Sequence, residues 1–280
     1  MADFEVLTVE RDAHVATVWL DRPEARNAMG PAFWEELPAA MAEVGADASV
    51  RAVVVAARGP HFSVGLDLKA MASMLTGGPS DPAGNGGPPS TAARAVAARL
   101  SITRLQGSIT AVADCPKPVI AAVHGYCLGG GVDLITACDI RLASAEAVFS
   151  VRETKVAIVA DLGSLQRLPP IVGKGHTAEL AYSGKDVSAE RAREMGLVNE
   201  VFPDPPATLE GARAWAAEIA ANSPLAVQGT KAVLRAGEGR SVAEGLDYVA
   251  AWNAGFLQSD DLAEAMAAFM AKRAPQFRGR

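Results

Sequence analysis

Three consecutive glycines lie where a predicted strand leads into a predicted helix. Gly129, Gly130 and Gly131 come after the apolar segment Val119–Val123 and before the sequence VDLITA. Glycines at the start of a helix let the backbone approach a ligand closely and leave unpaired N–H groups directed outward. This arrangement suits a negatively charged oxygen, although a tight turn without any ligand would have the same composition. A nucleotide-binding loop is disfavoured, because it would need GxGxxG or a final GK[ST].

Cysteine, histidine and serine patterns suggest little other chemistry. Cys115, Cys127 and Cys138 are an odd number without a CxxC pair, and the four histidines show no metal-ligand spacing. We therefore predict neither a disulfide framework nor a metal site, and a reducing cytoplasm fits best. Cys127 and Cys138 are expected to be buried as small apolar residues. The absence of GxSxG disfavours a serine hydrolase.

The composition is that of an ordinary globular protein. Of 280 residues, 50% are apolar and 21% are charged, which allows one large core or a core with a smaller appendage. The formal net charge is −6 and no basic block stands out, so a nucleic-acid-binding face is disfavoured. The N-terminus lacks a basic region followed by an apolar run, and no apolar stretch of about 18 residues is free of charge. We expect neither a signal peptide nor a membrane span.

Alternating strands and helices must position the glycine turn. Apolar runs predict strands at 4–9, Val15–Leu20, 51–57 and Val119–Val123, and residues 31–44 have helical spacing with a disturbing proline at Pro38. The segment 76–90 is expected to be a mobile surface loop. After PDPP at 203–206 the pattern is wholly helical. We predict an α/β core in residues 1–205 and a helical region in 206–280.

Three segments together resemble one protein family. They are HFSVGLDLK at 61–69, VIAAVHGYCLGGGVDLITACDIR at 119–141 and VFSVRETKVAIVADLGSLQRL at 148–168. These are similar to the crotonase (enoyl-CoA hydratase/isomerase) family, over about residues 4 to 275. The resemblance implies a spiral of ββα units, a helical C-terminal oligomerisation region that builds trimers or hexamers, and an acyl-CoA thioester substrate. It also implies an oxyanion hole formed by the N–H groups of Leu66 and Gly130. No cofactor is implied, because CoA enters as part of the substrate.

Three acidic residues narrow the resemblance. Asp133, Glu153 and Asp161 have the spacing of the Δ3,5–Δ2,4-dienoyl-CoA isomerases, whereas hydratases carry glutamates at the first two positions and usually glycine at the third. By this resemblance Glu153 is the base at C2, Asp161 is the acid at C6, and Asp133 orients or tunes Glu153. Because clustered carboxylates do not ionise independently, one of them is expected to hold a proton at neutral pH.

Each acid taken alone also has a structural interpretation. Asp133 lies in a predicted first helical turn, where an acid meets the helix dipole favourably. Glu153 could pair with Arg152 or Lys155, and Asp161 could cap the helix that follows it. Only their joint appearance at the family spacing favours catalysis.

Contacts to CoA are implied by the same resemblance. Those within one chain are the oxyanion residues Leu66 and Gly130 together with Arg26, Asp67 and Leu68. Phe269 and Lys272 match residues that reach the CoA of a neighbouring subunit, although helix packing and a solvated lysine explain them equally well.

Two other functions remain open at this point. A 2-enoyl-CoA hydratase of fatty-acid β-oxidation shares the oxyanion hole, and Val64, where alanine is usual, indicates a tighter pocket wall. A non-catalytic RNA-binding relative would need a lysine-rich exposed helix, which this acidic chain does not offer.

Overall fold

The computed structural model describes residues 4–72, 74 and 90–280. A six-stranded sheet has the order β1-β2-β3-β4-β6-β9, and a three-stranded sheet has the order β5-β7-β8. The strands are β1 Leu7–Asp12, β2 Val15–Leu20, β3 Ala52–Ala57, β4 Val119–Val123, β5 Tyr126–Leu128, β6 Ile140–Ser144, β7 Val148–Ser150, β8 Val187–Ser188 and β9 Glu200–Phe202. The α-helices are α1 Pro31–Ala46, α2 Thr91–Asp114, α3 Gly130–Ala137, α4 Ser164–Ser183, α5 Ala189–Glu194, α6 Pro205–Ala220, α7 Pro224–Ala236, α8 Val242–Phe256 and α9 Asp260–Ala271. Two 3-10 helices span Pro23–Ala25 and Glu153–Val156.

The large sheet is covered on both faces. Apart from the antiparallel pair β1–β2, its neighbouring strands are parallel, and every residue of β2, β3 and β4 is buried. Continuous apolar runs are typical of parallel strands buried on both sides. One face packs into the main core, and Ala212, Ala216 and Ala220 of α6 belong to the cluster on the other. Helix α6, at the start of the predicted C-terminal region, therefore covers one face of the sheet. The predicted division of the chain into residues 1–205 and 206–280 stays a prediction.

The first strand and the first helix differ from their expected form in informative ways. The first strand is Leu7–Asp12 rather than 4–9, so Glu10, Arg11 and Asp12, which lie beyond the predicted strand, also pair with β2. Pro38 lies inside α1 without ending it. A proline leaves the carbonyl four residues earlier without its helical partner. That carbonyl, of Trp34, accepts a hydrogen bond from Ser108 Oγ of α2 at 2.5 Å.

The predicted helical C-terminal region consists of α6, α7, α8 and α9, and each of these helices begins after a polar capping residue. Polar side chains cap α6, α7, α8 and α9 by accepting a backbone N–H, and the residues are Asp204, Ser223, Ser241 and Ser259. The predicted loop at 76–90 lies outside the described residues except for Ser90, which caps α2 in the same way. Within the described part of the chain, no helix has the length and apolarity needed to cross a membrane.

Candidate active site

Backbone pairing brings the two predicted oxyanion donors together. Met29 N–H donates to Gly65 O at 2.8 Å and Asp67 N–H donates to Met29 O at 3.1 Å, which fixes the peptide of Leu66 between them. A Cβ built on Gly65 would lie 3.1 Å from Gly130 N, and one built on Gly130 would lie 3.8 Å from Leu66 N. No residue that the structure describes accepts a hydrogen bond from the Leu66 or Gly130 N–H. Two neighbouring unpaired donors can hold one anionic oxygen.

The glycines are required by close approach as well as by φ. Gly65 has φ +83°, and an added Cβ would lie only 2.7 Å from Leu128 O. Gly129 has φ +49°, and its Cβ would lie 3.3 Å from Glu153 Oε1. The second distance places the predicted base directly beside the glycine turn.

Gly130 gives a clean test of the oxyanion hole because proline is tolerated at the first position of a helix. We expect Gly130→Pro to lower turnover by on the order of 100-fold, since it removes one donor N–H. Gly130→Ala is the matched control: both variants place a Cβ that would lie 2.9 Å from Met29 Sδ, but only alanine keeps the N–H. With circular dichroism showing both folded, equal turnover of the two variants would contradict the assignment.

Asp133 is buried and only half satisfied. The side chain is 1% exposed, and Oδ1 accepts hydrogen bonds from both the N–H and the Oγ of Ser164, each at 2.6 Å. Oδ2 is buried without a hydrogen-bond partner. Burial raises the pKa of Asp133, and the two Ser164 bonds oppose that rise. Asp133 therefore caps the following helix α4 while its second oxygen remains unpaired.

Glu153 begins the 3-10 helix Glu153–Val156 and has an unusual electrostatic environment. Its Oε2 is also buried without a hydrogen-bond partner. Burial, followed by the negative charges of Asp133 and Asp161, raises the pKa of Glu153 to about 7. The alternative ion pair of Glu153 with Arg152 is not observed; Arg152 pairs with Asp186. A carboxylate with a pKa near neutrality is suited to accept and return a proton.

Asp161 lies on the loop before α4 and does not cap it. The helix begins at Ser164 with Gly163 as its N-cap, so the alternative interpretation of Asp161 as a helix cap is not supported. Its backbone carbonyl accepts a hydrogen bond from Gln106 Nε2 of α2 at 2.7 Å, and burial raises the pKa of its carboxyl. The three predicted acids thus belong to one electrostatically coupled group.

The raised pKa of Glu153 predicts the pH dependence of a reaction in which it acts as the base. Below about 7 the carboxyl of Glu153 is mostly protonated and cannot accept the C2 proton, so kcat/KM should rise with pH through this range. It should fall again at the pH where Asp161, the predicted C6 acid, loses its own proton. The measurement is a pH–rate profile at constant ionic strength. A rising limb of the kcat/KM profile near the ordinary pKa of glutamate would contradict the prediction that burial raises the pKa of Glu153.

The predicted CoA-binding residues are only partly brought together. Asp67 Oδ2 accepts a hydrogen bond from Arg22 at 3.0 Å, which braces the Leu66 segment, and Leu68 is 48% exposed beside it. Arg26 is exposed in a left-handed turn. Phe269 is 78% exposed on α9, and Lys272 ends that helix. Neither side chain makes a hydrogen bond or an ion pair with a residue that the structure describes. All these CoA contacts stay predictions.

Sequence reasoning missed the residues that hold the predicted acids and donors. Ser164 binds the Asp133 carboxylate, and Gln106 binds the backbone carbonyl of Asp161. Met29 binds the backbone on both sides of Leu66. The dipeptide Gly163–Ser164 before an apolar helix is a signal of a helix start, but nothing local indicates that the capping carboxylate comes from Asp133.

Metal and thiol chemistry find no support in the described residues. No group of three or more His, Cys, Asp or Glu that could hold a metal ion occurs among residues 4–72, 74 and 90–280. All three cysteines are buried, and burial raises the pKa of the Cys138 thiol to about 12. Cys127 and Cys138 are therefore apolar packing residues, as predicted.

Comparisons with known proteins agree with this geometry. A sequence model described as enoyl-CoA hydratase/isomerase matches residues 10–82 and 91–280. The chain belongs to the enoyl-CoA hydratase/isomerase family. Among solved members, a putative enoyl-CoA hydratase from Streptomyces coelicolor A3(2) is 33% identical with a TM-score of 0.88, covering 100% of this chain and 96% of that one. The predicted crotonase-like fold with a helical C-terminal region is confirmed.

Several curated family members share a more specific name. The peroxisomal Delta(3,5)-Delta(2,4)-dienoyl-CoA isomerase of Arabidopsis thaliana is 44% identical, over 98% of this chain and 96% of its own. The mitochondrial enzyme of that name from Rattus norvegicus is 44% identical, over 93% of this chain and 77% of its own. The (E)-benzylidenesuccinyl-CoA hydratase of Thauera aromatica is 34% identical, over 98% of this chain and 99% of its own.

Proposed function

We propose that this chain is a Δ3,5–Δ2,4-dienoyl-CoA isomerase. The observation that carries the proposal is the third carboxylate: Asp161 is partly buried and interacts electrostatically with Glu153 and Asp133. Glu153 in turn lies beside the glycine turn that carries the Gly130 donor. A hydratase needs acid and base only near C2 and C3. An acid further along the acyl chain serves a remote carbon, as moving two conjugated double bonds requires. The relatives at 44% identity that carry this name support the same choice.

The proposed mechanism uses only proton transfer. Glu153 takes a proton from C2, and the electron pair of that C–H bond enters the conjugated system, so that negative charge develops on the thioester oxygen. The N–H groups of Leu66 and Gly130 stabilise this charge, and a single such donor is typically worth about 3–4 kcal/mol. Asp161 then gives a proton to C6, which leaves double bonds at C2 and C4. One proton has left the substrate and one has entered it, so no redox cofactor is needed.

Absorbance distinguishes the proposed reaction from the alternative. Purified protein given a 3,5-dienoyl-CoA should produce the stronger absorbance of the 2,4-dienoyl thioester. A 2-enoyl-CoA given to a hydratase would instead lose its conjugated absorbance. Loss of signal on the enoyl substrate without any gain on the dienoyl substrate would replace the isomerase by the hydratase.

Substrate binding is proposed to involve the loop residues around the oxyanion hole. Arg26, Leu68 and the backbone near Asp67 surround Leu66 and suit the phosphates, adenine and pantetheine of CoA. The exposed Phe269 and Lys272 are proposed to reach the CoA of a neighbouring subunit, so their contribution depends on assembly.

Self-association is the expected state of the chain in solution. The C-terminal helices leave several large apolar side chains exposed, including Val242, Leu246, Met266, Phe269 and Met270. An exposed apolar surface of this kind is typical of a protein interface. We predict a trimer or a hexamer, and light scattering at micromolar concentration measures it; a monomer would contradict the prediction.

The cellular compartment stays a prediction. The cytoplasm was inferred from cysteine usage, whereas the names of the Arabidopsis and rat relatives place those proteins in peroxisomes and mitochondria.

A further inference from the structure

Ser164 provides every hydrogen bond that the buried Asp133 carboxylate receives from described residues. Its N–H and its Oγ both donate to Oδ1 at 2.6 Å, and Oδ2 has no partner. Hydrogen bonds to an ionised acceptor are stronger than neutral ones and favour the charged form. The N–H belongs to the first residue of α4, where the helix dipole adds to the same preference.

The other ionisable groups around Asp133 come from several elements. Glu153 of the 3-10 helix and Asp161 of the following loop interact with it as negative charges when ionised, and Arg167 of α4 opposes them. Cys127 of β5 also interacts electrostatically with Asp133. Burial raises the pKa of its thiol far above neutrality, so the thiol stays uncharged. Arg167 donates to Leu162 O at 3.3 Å and to Thr110 Oγ1 at 3.1 Å rather than to Asp133. The direct donors to Asp133 are therefore those of Ser164.

We propose that Ser164 is a positioning residue that keeps Asp133 ionised, so that the transferable protons of the site reside on Glu153 and Asp161. This inference deepens the proposed isomerase function and rests on it for its meaning in catalysis. The fixed negative charge of Asp133 repels the ionised form of Glu153 and so keeps that residue a strong base. If Asp133 took up the proton instead, Glu153 would be a weaker base, and the proton would reside on a residue that transfers none in the proposed mechanism.

Removal of the Ser164 hydroxyl should raise the pKa of Asp133 and lower that of Glu153. In Ser164→Ala the carboxylate loses one of two donors, so the pKa of Asp133 rises and its average negative charge falls. Less repulsion then acts on Glu153, whose pKa falls. The rising limb of the kcat/KM profile should therefore move to lower pH, by about half a unit to one unit. Ser164→Thr keeps the hydroxyl and should keep the limb in place.

A double-mutant cycle shows whether Ser164 acts through Asp133. Asp133→Asn removes the charge and should move the limb to lower pH at least as far as Ser164→Ala. Adding Ser164→Ala to Asp133→Asn should move it no further. A serine that merely stabilises the start of α4 would lower Tm and turnover in Ser164→Ala while the limb stays at the wild-type pH. That result would overturn the proposal, as would additive shifts.

An infrared pH titration of the free protein tests the same charge without substrate. Ser164→Ala should show a protonated buried carboxyl up to a higher pH than wild type, and the difference should vanish in the Asp133→Asn background. If the protein fails to isomerise dienoyl-CoA but shows this difference, the proposed function fails and the charge assignment stands. If it isomerises but titrates like wild type in Ser164→Ala, the function stands and this inference fails.

Discussion

Asp161→Asn should lower isomerisation of a 3,5-dienoyl-CoA by about 10²–10⁴-fold, the usual contribution of a positioned acid or base. Asparagine is close to aspartate in shape but cannot deliver a proton to C6. Hydration of a 2-enoyl-CoA, if present, involves only C2 and C3 and should change far less. Because Gly163 is the N-cap of α4, the substitution does not remove a helix cap. Both reactions are measured by absorbance on the same purified variant.

The control for Asp161→Asn is an exposed carboxylate elsewhere on the chain. Asp12 ends β1 and is exposed, so Asp12→Asn makes the same chemical change away from the carboxylate group. It should leave both activities close to wild type. Equal isomerisation by the Asp161→Asn variant and wild type would end the dienoyl-isomerase proposal and leave Asp161 as a loop residue held through its backbone by Gln106.

Glu153→Gln should lower isomerisation by about 10²–10⁴-fold, because it removes the base on which the first step depends. Unlike Asp161→Asn, it should lower any hydration as strongly, since both reactions use a group beside C2. The measurement is kcat for both substrates at a pH above about 7, where wild-type Glu153 is ionised.

Glu153→Gln should lower activity but raise the free energy of unfolding at neutral and alkaline pH. Glu153 has a pKa raised from 4.5 to about 7 in the folded protein, so the fold favours its neutral form. That contribution is fully present below the unfolded pKa and is lost as the pH rises through about 7. Glutamine stays neutral, so the variant should gain on the order of 2 kcal/mol relative to wild type above that pH and little in acid. Denaturant unfolding at an acidic and an alkaline pH measures this; a loss of stability at both would contradict the buried-charge explanation.

The sequence predicted the elements whose causes are local. Apolar runs located β2, β3 and β4, and the helical pattern after PDPP at 203–206 indicated the C-terminal helices. Boundaries set by tertiary contacts were harder. The chain continues as a helix through Pro38 because Ser108, far away in sequence, binds the freed carbonyl. Pairing with β2 likewise extends β1 beyond the predicted strand through the polar residues Glu10, Arg11 and Asp12.

In the candidate site, too, the sequence predicted the local features but not the tertiary contacts. The glycine turn and the spacing of Asp133, Glu153 and Asp161 are visible in the sequence through a family resemblance. The partners of those residues are not, because a hydrogen bond such as that between Ser164 and Asp133 joins two elements whose approach depends on the whole fold. The unpaired oxygens of Asp133 and Glu153 are invisible for the same reason: burial is a property of the packed chain.

The packing of α6 across the sheet has a consequence for how the chain folds during synthesis. Its alanines belong to the cluster that covers the outer face of the sheet, with Trp19, Val54 and Ile120. A nascent chain that has emerged only as far as β9 would leave that face in contact with water, because the helix that covers it has not yet left the ribosome. Parallel strands joined by distant segments fold slowly and expose aggregation-prone surface meanwhile. We therefore expect ribosome-bound intermediates of this protein to expose this apolar face until residue 220 has left the ribosome.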